Sequence, residues 1–142
     1  MRLICFLILI FSTDLFASER ELPVGIFRGD SFSLEKNGVL IVSNKDVHSN
    51  KSTLQITKVS SHIYDFTVAV YLQYKPDSKA LTDTRIDRYK VIWKSETMGA
   101  LINQREEHDK ELSEFLLLAD KFTIKSLVST SGIIETQTYK IE

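Results

Sequence analysis

The chain has 142 residues, a net charge of −1 from 18 basic and 19 acidic side chains, and a single cysteine. The length suits one domain. The near-zero charge excludes a field strong enough to steer nucleic acid or hold an anionic membrane, and one cysteine excludes an internal disulfide framework.

Met1 and Arg2 are followed by an uncharged apolar run over residues 3–11, and then by a more polar stretch ending at Ala17. This is the layout of a secretory signal peptide. The reading is therefore a signal over 1–17 and a single exported domain over 18–142, periplasmic or secreted and bacterial in character. The run is about half of the roughly 20 apolar residues that a spanning helix needs, so no stable membrane anchor is expected. Cys5 lies inside this run. The mature chain thus has neither thiolate nucleophile nor thiolate metal ligand.

Residues 24–34 read as a first strand, in which Gly25 and Gly29 mark a kink or a close backbone approach. Asn37-Gly38 signals a hairpin turn into a second strand over 38–43. The polar residues 44–51 read as a loop, and 52–59 as a third strand. Residues 62–74 alternate: Tyr64, Phe66, Val68, Val70, Leu72 and Tyr74 share one face, and Asp65, Thr67 and Gln73 the other. Pro76 breaks that strand. A fifth follows over 84–94, with Tyr89, Val91 and Trp93 inward, and a short sixth over 98–104.

The region 105–119 changes character. It begins with a densely charged run of good helix formers, and Leu112, Phe115, Leu116 and Ala119 then recur at i, i+3, i+4 and i+7. One short helix is the first expectation here, with a charged loop leading into a strand as the alternative. Alternation returns over 121–129, a turn follows at Thr130-Ser131-Gly132, and a last strand runs over 133–141. Seven or eight strands joined by short connections predict a mainly β fold. The expected form is an antiparallel meander closed into a small barrel, and a two-sheet sandwich is the alternative.

Gly25-Ile26-Phe27 near the mature start, followed by this meander, resembles the calycin group, the lipocalin-type barrels. The resemblance implies the barrel architecture and no particular ligand. Phe27 stands where lipocalins usually carry Trp, and a helix before the last two strands departs from their order.

His48, His62 and His108 lack metal-ligand spacing, and no nucleophile elbow, phosphate-cradling glycine loop or His-Glu-x-x-His motif occurs. No catalytic residue, metal or cofactor is therefore assigned. The aromatic residues Tyr64, Phe66, Tyr74, Tyr89 and Trp93 either fill the interior or line a pocket, because a barrel of about eight strands allows both. Arg85 and Asp87 are the charged pair that a purely apolar core leaves unexplained. These seven form the candidate ligand site. The parity of Asp87 and Glu135 points inward, and an ion pair of Asp87 with Arg85 or Arg88 is expected.

Two functions follow. The first is a non-enzymatic exported barrel binding a small hydrophobic or amphipathic ligand in its interior. The second is a protein-interaction module or inhibitor of the cell envelope with a packed core, favoured by Tyr71 and Ala69 on the otherwise polar face of the fourth strand.

Overall fold

The computed structural model describes residues 20–74, 79–105, 112–128 and 132–142. Its described residues form ten strands: β1 (Gly25–Lys36), β2 (Val39–Val42), β3 (Val47–Asn50), β4 (Thr53–Ser60), β5 (Ile63–Tyr74), β6 (Leu81–Trp93), β7 (Met98–Asn103), β8 (Leu112–Leu117), β9 (Lys121–Val128) and β10 (Ile133–Lys140). The signal-peptide segment 1–17, the break at Pro76, the charged run 106–111 with His108, and Thr130-Ser131 of the turn lie outside the described residues.

Eight strands close into an antiparallel barrel in the order β1-β4-β5-β6-β7-β8-β9-β10, and β10 returns to pair with β1 from Arg28↔Lys140 to Lys36↔Ile133. That last ladder rules out the sandwich. β2 is an extra strand on the upper part of β1, and β3 pairs with the end of β5 beyond β4. The Asn37-Gly38 turn forms as its residue types dictate, with φ of 52° and 78°. The loop expected over 44–51 contains a single 3-10 turn (Asn44–Asp46), capped by Ser43, and then β3.

The range 105–119, where the spacing predicts a helix, forms none among its described residues. Its described C-terminal part is β8, which fills the gap between β7 and β9. The helical spacing of Leu112, Phe115 and Leu116 is outweighed by the two ladders that a wall strand completes. Ser113 and Phe115 point inward and Glu114 outward. Without β8 both neighbours would present raw edges.

Phe27 and Phe32 lie five residues apart yet both are buried. A bulge between Gly29 and Ser31 inserts the residue that reverses the parity of β1. It also turns Asp30 outward, towards Lys121 and Lys140 at 3.5 and 3.4 Å.

The lower half of the barrel is solid. Leu54, Tyr64, Phe66, Leu101, Phe122 and Tyr139 are each at most 2% exposed, and each such burial contributes roughly 1.5–3 kcal/mol. Leu22 enters from the N-terminal segment and stoppers this end. Its amide donates to Tyr64 Oη at 3.2 Å, while Trp93 Nε1 donates to the Arg20 carbonyl at 3.1 Å. The Arg20 guanidinium lies 4.5 Å from the Trp93 ring centre. A smaller cluster of Phe32, Val70 and Leu72, with Leu34, Val42, Val47 and Tyr74 against it, closes the wall where β2 and β3 part.

Gly99 sits where the lower core is tightest. It faces Trp93 on β6 and Phe115 on β8, whose rings meet edge to face at 5.0 Å. A Cβ at position 99 would stand 2.6 Å from the Phe115 ring and 2.5 Å from the Ile92 carbonyl oxygen. Gly99→Ala should therefore lower the unfolding free energy by about 1–3 kcal/mol through overpacking. Urea denaturation checks this, and an unchanged midpoint would contradict the packing described.

Candidate functional site

Alternation on the barrel wall is continuous, so inward polar residues on any strand share the lumen. In the upper half they concentrate. β6 contributes Arg85 and Asp87, β9 contributes Ser126, and β10 contributes Glu135, Gln137 and Tyr139. With Phe66, Val68, Tyr89, Leu101 and Ile124 they enclose a cavity of about 170 Å³. Its lower wall is apolar, and its upper rim reaches solvent through Arg85 and Asp83, whose side chains are each about half exposed.

β6 and β10 stand four strands apart in either direction around the barrel, so they face each other across the lumen. Arg85 spans it. Its Nη2 donates to Glu135 Oε1 at 3.4 Å, and its Nε lies 3.6 Å from Asp83. Gln137 Nε2 donates to the same Glu135 oxygen, and Tyr139 Oη donates to Gln137 Oε1. Three side chains at i, i+2 and i+4 of one strand thus carry a hydrogen-bonded line from the rim to the core. Asp87 receives looser contacts, from Asn103 Nδ2 at 3.5 Å and Arg105 Nη1 at 4.0 Å. Phe66 and Tyr89 meet edge to face at 5.1 Å, and Phe66 reaches across to Phe122 at 6.2 Å as the cavity floor.

The electrostatics follow from burial and Glu135. Burial pushes the Tyr139 phenol well above its ordinary range, and the Glu135 carboxylate adds to the shift. Tyr74 is raised for the same two reasons. At Arg85 burial works against the charge, but Glu135 and Asp83 outweigh it and keep the guanidinium protonated. Outside the barrel Arg88 makes a two-pronged bond to Asp65 at 2.7 and 2.9 Å. The ion pair expected for Asp87 with Arg85 or Arg88 is therefore redistributed: Arg88 points outward by strand parity, and Arg85 extends to Glu135.

Of the seven residues proposed from the sequence, Phe66, Arg85, Asp87 and Tyr89 surround the cavity. Tyr64 and Trp93 lie below its floor, where they hold Leu22 and Arg20. Tyr74 packs with the Phe32 cluster. Val68, Leu101, Ile124, Ser126, Glu135, Gln137 and Tyr139 complete the lining. The shared parity of Glu135, Gln137 and Tyr139 was the available signal for the β10 side. Among the described residues no group of three or more His, Cys, Asp or Glu side chains is placed to hold a metal ion. His62 sits in the β4–β5 turn at φ 62°, and its carbonyl accepts from the Val91 amide.

No family model matches the chain, and no curated protein matches it. Among solved structures, a redesigned beta barrel, mFAP1, bound to DFHBI, is similar at 14% sequence identity and a TM-score of 0.46, over 83% of this chain and 94% of that chain.

The Tyr139 shift makes stability depend on alkaline pH. Its folded pKa lies above the unfolded value, so its contribution is complete below about pH 10 and is lost as pH rises beyond that. The unfolded chain releases this proton first, which lowers the unfolding free energy by about 1.4 kcal/mol per pH unit. Denaturation at pH 9 and pH 11 should show a smaller loss for Tyr139→Phe than for the parent. Equal losses would contradict the assignment.

Proposed function

We propose that this is an exported, non-enzymatic β-barrel that holds one small amphipathic molecule in the upper half of its lumen. The observation that carries the reading is the division of the interior into a solid apolar lower half and a partly open, mixed upper half. Cavities of roughly 150 Å³ lined by apolar side chains take a single ring such as benzene. The volume here, about 170 Å³, is of that size and falls below the usual range of roughly 300–1,000 Å³ for larger ligands. A ring or short chain would lie against Phe66, Leu101 and Ile124, with its polar end towards Asp87, Glu135 and Arg85. Anything longer would project past the rim. Export is supported by the signal-like residues 1–17.

The test uses benzyl alcohol as a neutral, ring-sized probe. Titrated into the ¹⁵N-labelled chain, it should shift amide resonances of Phe66, Tyr89, Leu101 and Ile124 in a saturable manner. Ile124→Phe should fill the space and abolish the shifts while the rest of the spectrum stays native. Shifts scattered over the surface, or unaffected by Ile124→Phe, would count against the cavity.

A second reading rests on β2. Val39, Leu40 and Ile41 are each more than half exposed, and β2 pairs only with β1 among the described residues. Such an edge suits the addition of an extended strand. Tyr71, the residue that suggested an interaction surface from the sequence, is half-buried, with Lys51 Nζ 5.8 Å from its ring centre. If β2 is a pairing edge, sedimentation velocity at high concentration should show self-association that Leu40→Lys removes without altering the melting temperature. A parent chain that stays monomeric at every concentration would set this reading aside.

A further inference from the structure

The cavity's charges are unevenly satisfied. Among the described residues, three carboxylates, Asp83, Asp87 and Glu135, stand around the lumen and its rim against two guanidinium groups, Arg85 and Arg105. Arg85 stands between two carboxylates, Asp83 at 3.6 Å and Glu135 at 3.4 Å, so its charge is already answered. Arg85 and Gln137 both bond Oε1 of Glu135, so Oε2 lies outside those two bonds. Asp87 is the least engaged of the lining carboxylates. Its contacts of 3.5 and 4.0 Å exceed the roughly 2.7–2.9 Å of a charge-assisted bond. The Arg88–Asp65 pair on the outer wall of the same two strands reaches that range at 2.7 and 2.9 Å. Phe66, Tyr89 and Tyr139 line the same cavity, and a cation placed over such a ring is attracted by its π face.

We infer that the polar end of the ligand is a cation, an ammonium or amidinium group carried on a ring-sized apolar body, with Asp87 as its counter-ion and Glu135 as a second acceptor. This rests on the reading that the upper lumen binds a small molecule, and it names the chemical class that the lumen selects. The cation adds a charge-assisted bond where Asp87 has only long ones, and it cancels the one-charge excess of the described residues there. A carboxylate ligand would approach a guanidinium already flanked by two carboxylates and would add a fourth negative charge to the site.

Three probes of one shape separate the possibilities: benzylammonium, benzyl alcohol and benzoate, titrated at equal ionic strength into the full ¹⁵N-labelled chain. Benzylammonium should bind about ten-fold more tightly than benzyl alcohol, and benzoate more weakly than either. Asp87→Asn, nearly isosteric, should collapse the preference for the ammonium over the alcohol to within about two-fold. If that variant loses the native spectrum, Glu135→Gln serves as the second variant and should reduce the same preference. Equal affinities for all three probes would overturn the cation assignment and leave the cavity reading standing. Benzoate binding tightest would overturn it in favour of an anion at Arg85. No saturable shift from any probe would overturn both.

Discussion

The ladder between β1 and β10 is the constraint on which the rest depends. It joins the first and last strands from Arg28↔Lys140 to Lys36↔Ile133 and removes the two edges that a meander would otherwise leave open. Closure also makes the inward–outward alternation continuous around the wall. Once Phe66 faces in, the registers carry that parity to Asp87 on β6 and, strand by strand, to Glu135 on β10. A slip of one residue in any ladder would turn a whole strand's apolar set to water. The bulge at Gly29–Ser31 is part of the same bookkeeping, because it lets one long strand serve β4 at its lower end and β10 at its upper end with Phe27 and Phe32 both inside.

The two halves of the lumen differ because, among the described residues, the chain supplies a stopper for the lower one alone. Below, Leu22 fills the space between Tyr64 and Trp93, and the Arg20 carbonyl takes the indole N–H that burial would otherwise strand. Gly99 admits the Trp93–Phe115 contact that completes this floor. Above, the inward positions of β6 and β10 carry Arg85, Asp87, Glu135 and Gln137 in place of aliphatic side chains. Hydrated polar groups resist collapse, so the lumen stays open where they stand.

Much of the architecture was legible because it is local. The alternation of β5, the Asn37-Gly38 turn and the irregularity at Gly29 each follow from neighbouring residues. What was hidden depends on partners far along the chain. Leu112, Phe115 and Leu116 fit a helix by spacing, while Ser113 inward against Ser126, with oxygens 2.9 Å apart, fits a strand only when β9 is beside it. Tyr64 and Trp93 look like pocket walls until residues 20–22, more than forty positions earlier, fold across them. The partner of Arg85 lies fifty residues away on β10, and no local rule connects them.

The trans-lumen pair is too exposed to be a stability device. Arg85 is about half exposed, and ion pairs in such settings contribute about 0–1 kcal/mol. Leucine-like residues at 85 and 135 would extend the apolar core upward and bury more area, at roughly 25 cal/mol per Å². The chain keeps charges there instead, and links them through Gln137 to a buried tyrosine. Any occupant of the upper lumen, solvent included, must answer Asp87 and Glu135 with donors, because displacing one well-bonded partner by a group that cannot reproduce its hydrogen bonds loses affinity. On the proposed reading the polar set acts as a selector. It costs the barrel part of its possible core, and in return it narrows what the remaining space will hold.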